Sequence, residues 1–235
     1  MEANDTKASV HLGSLRPKGN YWIRFILGAI AVFVIWFFVI RPNTIELNWS
    51  EQEQLLGLAR EQLVASVAGD GLIEICPPEL SDRILRDGAA FVTLTVDGVL
   101  RGCMIDQFEP HEPLVVNVLR NTRLAAGADD RFAVLTPEEI DRARLTISIV
   151  YDIEALTFEN SSDLLEKLKP HLDGVILEVD GDIATYLPSV WQTFPDPTEF
   201  LSQLCIKAGW EAERWRTEPY PTIQTYQVFE VAESE

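Results

Sequence analysis

From Phe25 to Ile40 the chain reads FILGAIAVFVIWFFVI, an apolar run with neither a charge nor a polar stripe. Extended back to Tyr21, with Arg24 snorkelling, it is long enough at about 1.5 Å per residue to cross a hydrocarbon core of roughly 30 Å. Tyr21, Trp22 and Arg24 at one end and Arg41-Pro42 at the other form interfacial anchors and a helix stop. No small-residue cleavage site follows, so the pattern predicts a single-pass transmembrane helix over residues 21–41 rather than a removable signal peptide. A polar, basic tail over 1–20 precedes it and a linker over 42–49 follows.

Past the linker the periodicity changes. Ser50-Glu51-Gln52-Glu53 has the form of a capping box, and Leu55, Leu58, Leu63 and Val67 continue at helical spacing to about Ala68. Two apolar strands are expected over 89–96 and 99–105, joined by Asp97-Gly98, a dipeptide that favours a type I′ hairpin turn. From Pro113, the positions Leu114, Val115, Val118, Leu119, Thr122 and Ala126 share one helix face. Thr136-Pro137 opens a short helix, residues 145–153 alternate as a strand, and 162–169 form another short helix. A second hairpin is expected over 175–179 and 182–187 around Asp180-Gly181. It is followed by a helix with Phe200, Leu201, Leu204, Cys205 and Ala208 on one face, then a closing strand over 222–231. Hairpin, helix and strand thus occur twice in the same order. The expected architecture is α+β, two antiparallel hairpin–helix–strand units in two subdomains, over residues 50–235.

Charge divides the chain in the same place. The protein has 19 Lys+Arg against 37 Asp+Glu, a net charge of −18, although Lys7, Arg16, Lys18, Arg24 and Arg41 outnumber Glu2 and Asp5 before Pro42. The negative charge therefore falls on the body, which repels phosphate backbones and argues against nucleic-acid binding. Arg16, Lys18 and Arg24 precede the apolar run and Arg41 alone lies close behind it. The positive-inside rule then keeps the N-terminus in the cytoplasm and places 43–235 outside the plasma or bacterial inner membrane. Cys76, Cys103 and Cys205 have no CxxC spacing, only three His are present, and no HExxH or Gly-rich phosphate loop occurs. Neither a metal centre nor a cofactor is expected.

A two-residue turn at Asp97-Gly98 pairs Val96 with Val99, Leu94 with Arg101 and Val92 with Cys103 on one face. Thr95/Leu100, Thr93/Gly102 and Phe91/Met104 lie on the other. Both faces are largely apolar, so the hairpin is expected to be covered on both sides. Arg101 is the misfit, because a guanidinium among Val92, Leu94 and Val99 needs an acidic partner or an anionic ligand. It stands on the face of Cys103, about 6–7 Å away, where a cation favours the thiolate. Gly102, facing away, lets another segment or a ligand come close. His111 and Glu112 are candidate bases for Cys103 from a following loop, and the competing reading makes them solvated loop residues. Asp129-Asp130-Arg131-Phe132 reads as a turn with an Arg–Asp pair, Cys205 as a core residue, Cys76 as a loop residue and Lys207 as exposed.

Leu100-Arg101-Gly102-Cys103, within FVTLTVDGVLRGC, resembles the signature of the AMMECR-type domain family, named for the Alport syndrome–elliptocytosis chromosomal region. The similarity continues through Asp130-Arg131-Phe132, Leu135-Thr136-Pro137-Glu138-Glu139-Ile140, Tyr186-Leu187-Pro188-Ser189-Val190-Trp191 and the run from Phe200 to Gly209. The resemblance implies an internally duplicated α+β fold and a site around Leu100, Arg101, Gly102, Cys103, Asp130 and Arg131. It also implies the first part of a three-part system, whose other members are a Memo-like protein and a radical S-adenosylmethionine enzyme. Two features depart from the family: Met104-Ile105 stands where its pattern continues with Ile-Gly, and relatives are typically soluble. Two functions follow as expectations. One is a membrane-anchored adaptor or binding component. The other is an enzyme in which Cys103 is a thiolate nucleophile and Arg101 holds an anionic substrate group.

Overall fold

The computed structural model describes residues 46–234; the expected tail and transmembrane helix, with the start of the linker, lie outside them. Among the described residues no helix is long and apolar enough to cross a membrane. The chain enters through buried Leu47 and Asn48, and Asn48 caps helix α1 (Trp49–Ala68). The capping box is therefore Asn48/Glu51 and not Ser50/Glu53. The Asn48 carboxamide accepts the Glu51 N–H at 3.1 Å, while the Glu51 carboxylate accepts the Asn48 N–H at 2.8 Å. Glu51 is fixed in this role because the Ser81 hydroxyl also donates to it, at 2.5 Å, whereas Glu53 is exposed.

The first hairpin is β1 (Ala90–Val96) and β2 (Val99–Met104), followed by α2 (Leu114–Gly127), a 3-10 turn (Pro137–Arg142) and β3 (Ala143–Ala155). After α3 (Ser161–Lys167) come β4 (Gly174–Val179), β5 (Asp182–Tyr186), α4 (Pro197–Lys207) and β6 (Thr222–Ala232). Hairpin, helix and strand do recur, but both units build one antiparallel sheet of order β2-β1-β3-β6-β4-β5. The hairpins form its two edges, and the closing strands β3 and β6 pair at its centre. Asp97 and Gly98, at φ 51° and 78°, and Asp180 and Gly181, at 54° and 92°, supply the positive φ that type I′ turns require.

Helices cover one face of this sheet. Val92, Leu94, Leu145, Ile147 and Val231 pack with α1 and α2, and Val175, Leu177, Ala184 and Ile223 pack with α3 and α4. Ile223 and Val231 share a parity on β6, so the two layers lie on the same side. Residues of the opposite parity, Phe91, Val150, Ile176 and Tyr226, make a third cluster on the other side, with Cys103 and Leu187 packed against it. Cys103 belongs to one edge strand and Leu187 follows the other. Their meeting on one cluster means that the sheet curls around it.

Arg101 and Cys103 do not share a face as the turn register predicts. Val96 pairs with Val99 and Thr95 with Leu100, but the ladder then shifts. Leu94 pairs with Gly102 and Thr93 with Cys103, which leaves Arg101 as the extra residue of a β-bulge. One inserted residue exchanges the faces of everything beyond it. Gly102 thus turns toward α2, where a Cβ would stand 2.1 Å from the Ala125 carbonyl oxygen, so the close neighbour is a segment of the protein itself. Cys103 turns to the concave side. The hairpin tip is also not covered on both sides, since Val99 is 70% exposed and Leu100 40%.

Gly102→Ala is expected to lose about 2–3 kcal/mol in urea denaturation, because its methyl group meets backbone that cannot swing away. Gly57→Ala, at an exposed position of α1 with nothing within 4 Å of the new methyl group, should instead gain about 0.5–1 kcal/mol. Equal effects at the two positions would contradict the packing of β2 on α2.

Candidate functional site

Cys103 sits half-buried on edge strand β2, and the Thr93 hydroxyl of the neighbouring strand donates to its Sγ at 3.3 Å. Side chains occupy the free edge of the strand at this residue. The Asp129 carboxylate accepts the Cys103 N–H at 2.9 Å, and the Arg131 guanidinium donates to the Cys103 carbonyl at 3.2 Å. Asp129 is buried and holds Arg131 through both oxygens, at 2.8 and 2.6 Å. This pair supplies the acceptor and donor that another strand would bring, so it closes the edge against strand addition.

The opposite edge reaches the same place. Lys207, in the last turn of α4, donates from Nζ to the Thr185 carbonyl of β5 at 2.8 Å and lies 5.0 Å above the Tyr186 ring. Fully buried Tyr226 donates to the Tyr186 carbonyl at 3.1 Å and shares a hydrogen bond with the Thr185 hydroxyl at 3.0 Å. Its ring covers Gly174, where a Cβ would come within 2.3 Å of it. The two sheet edges therefore form a seam at Cys103, Asp129, Arg131, Thr185 and Lys207, above the cluster that contains Phe91 and Tyr226.

Burial dominates the electrostatics of the seam. It pushes the Cys103 thiol above its ordinary value, and the Thr93 hydrogen bond with the charges of Arg131 and Lys207 does not reverse it. Burial likewise pushes the Tyr226 phenol up. Burial first, and then the charge of Arg131, push the Lys207 ammonium below the usual lysine value. For Asp129 burial works against the charged form, but the Arg131 guanidinium and the Cys103 N–H outweigh it and hold the carboxyl below its usual range. At neutral pH the thiol is protonated.

Of the residues expected at the site, Cys103 and Arg131 come together, while Gly102 faces α2 on the other side of the sheet. Arg101 goes elsewhere: its guanidinium donates to Glu139 at 2.9 and 3.2 Å, to the Val134 carbonyl at 3.2 Å and to the Ala133 carbonyl. The Arg101 hydrogen bond in turn holds the Glu139 carboxyl below its usual value. Arg101 is thus not the cation acting on Cys103. Leu100 is exposed near the hairpin tip, and Asp130 is exposed beside Asp129, which makes the contacts instead. His111 lies 3.7 Å from both Asp106 and Glu112, and not beside the thiol. These three could hold a cation by their spacing, but Arg120 already occupies both Glu112 oxygens at 2.9 and 2.6 Å. The Arg–Asp pair of the turn is there as Arg131–Asp129, and Lys207 is exposed, but neither Asp129 nor Lys207 was expected at the site. The Asp129-Asp130 doublet hides which carboxylate turns inward, and nothing in the spacing of Lys207 shows that it reaches a strand.

A family model described as AMMECR1 matches residues 56–231, which include all of the seam and every strand but the last residue of β6. The chain belongs to the AMMECR1 family. A protein of Methanothermobacter thermautotrophicus is 32% identical over 164 residues, 69% of this chain and 84% of its own. Protein MK0488 of Methanopyrus kandleri is 32% identical over 202 residues, 81% of this chain and 93% of its own. The crystal structure of PH0010 from Pyrococcus horikoshii is similar with a TM-score of 0.69 and 27% identity, covering 78% of this chain and 92% of that one. At the family departure, Ile105 packs its side chain against the third cluster.

Arg101→Ala is expected to cost about 2 kcal/mol, since it strands Glu139 and two carbonyls in a pair whose side chains are 17% and 18% exposed. Its alkylation rate at Cys103 should stay within about twofold of the parent protein. A tenfold change in that rate with stability unaltered would restore Arg101 to the thiol site.

Proposed function

We propose that this AMMECR1-family protein is a membrane-tethered adaptor or binding component whose contact surface is the seam at Cys103, Arg131 and Lys207. The observation that carries this reading is the division of labour between Arg101 and Cys103. Arg101, the cation expected beside the thiol, is committed to Glu139, and burial keeps the thiol protonated despite the charges of Arg131 and Lys207. The second reading, an enzyme with Cys103 as nucleophile, loses Arg101 as the holder of an anionic substrate. Its remaining support is the depressed lysine Lys207 at the same seam.

The tether in this proposal is the apolar segment from Tyr21 to Ile40, supported by its length and its flanking anchors. The charge bias around it supports an extracytoplasmic domain. That side separates the domain from a cytosolic radical S-adenosylmethionine enzyme, so of the partners implied by the family a Memo-like or other binding partner on the same side is favoured.

Alkylation kinetics test the binding reading. Between about pH 5 and pH 9, iodoacetamide should modify Cys103 more slowly than the thiols of the denatured chain, with exposed Cys76 as a fast internal reference. Modification of Cys103 faster than the denatured thiols near neutral pH would establish the enzyme reading instead. For the membrane side, a Cys placed at Ser234 in a chain lacking its native cysteines should react in intact cells with an impermeant maleimide. Labelling only after lysis would put the domain in the cytoplasm.

A further inference from the structure

Lys207 carries a charge that its closest partners do not answer. In a chain with 37 Asp+Glu against 19 Lys+Arg, its ammonium rests on the Thr185 carbonyl at 2.8 Å and on the face of Tyr186, neither of them charged. The carboxylate of the seam, Asp129, gives both oxygens to Arg131 and one of them also to the Cys103 N–H. Arg131 and Lys207 act on each other as like charges, which with burial lowers the affinity of Lys207 for its proton. Both charges act on the Cys103 thiol, which burial keeps neutral. Thr93 donates to the Cys103 sulfur, so the S–H proton is not used in that hydrogen bond and is available to a ligand. Asp129 and, from the loop, Asp130 thus act on Arg131, while Lys207 has no ion pair among the described residues and its ammonium and the Arg131 guanidinium reach the seam from opposite edges of the sheet.

We propose that the seam binds an oxyanion, the carboxylate or phosphate group of a small ligand, with the Lys207 ammonium as its principal partner, the Arg131 guanidinium beside it and the Cys103 S–H as a neutral donor. This rests on the binding-component reading and names the ligand chemistry for the same surface. An anion there relieves the repulsion between the two cations and gains charge-assisted hydrogen bonds in a partly desolvated place. Asp129 does not exclude it, because its charge is already neutralised by Arg131. Binding also favours protonated Lys207, so the ammonium becomes easier to protonate when the anion is present.

The test uses the full-length chain in non-ionic detergent, titrated with inorganic phosphate or acetate at constant ionic strength, with chloride as the reference salt. Nitrogen-15 NMR of labelled lysine side chains reads Lys207 directly. A saturable shift of its ammonium signal, with a raised titration midpoint, is expected, while Lys167 serves as the unaffected control. Lys207→Met should weaken anion binding tenfold or more, read from protection of Cys103 against alkylation. Lys207→Arg should keep it within about threefold, which separates lost binding from lost folding. A stronger phosphate response assigns a phosphorylated ligand, and a stronger acetate response a carboxylate ligand. A linear, unsaturable response, or an identical one in Lys207→Met, overturns the site. If Cys103 alkylation is slow and no anion saturates, the anion site alone falls. If alkylation is fast while the anion still saturates, the binding-component reading falls and the anion site stands.

Discussion

Between the pairs Thr95–Leu100 and Leu94–Gly102, strand β2 carries one residue more than its partner, and that residue is Arg101. Side chains alternate along a strand, so the insertion turns Gly102 onto α2 and Cys103 onto the concave face. The first consequence demands a glycine, because the Ala125 carbonyl oxygen occupies the space of a Cβ. The second puts the thiol under the seam. Arg101, released from the ladder, leaves the site for Glu139 and ties β2 to the segment before β3. Packing of β2 on α2, the ion pair and the position of the thiol are three results of one irregularity.

Closing the seam is mainly a matter of satisfying exposed strand edges. An open antiparallel sheet ends in two rows of unpaired backbone groups, which invite further strands. Here the Asp129–Arg131 pair occupies the edge of β2 at Cys103, and Lys207 occupies a carbonyl of β5. The groups that protect the edges are charged, and curling of the sheet brings them together. Their arrangement accounts for both properties of the site, a thiol kept protonated by burial and a lysine with depressed basicity.

The family match over residues 56–231 and the likeness to PH0010 concern this sheet and its helices. The apolar run from Phe25 to Ile40 lies before the match. Within the AMMECR1 family, then, this chain combines a shared domain with an N-terminal segment of different composition.

Local chemistry was legible in the sequence. Asp97-Gly98 and Asp180-Gly181 announce both hairpins through their positive φ, and the spacing from Leu114 to Ala126 and from Phe200 to Ala208 announces two amphipathic helices. The repeated order of hairpin, helix and strand followed from these signals, as did the need of Arg101 for an acidic partner or an anionic ligand, of which the structure shows the first in Glu139. The bulge was not legible, because whether Arg101 stays in the ladder depends on how closely α2 approaches Gly102, a contact between segments far apart in the chain. For the same reason neither the choice of Asp129 over Asp130 nor the reach of Lys207 to Thr185 could be read from spacing. Turns and helix faces are set by neighbouring residues, so the sequence alone determined them. The seam is set by the curl of a six-stranded sheet that brings its edge strands β2 and β5 toward one another, and only the tertiary structure decided it.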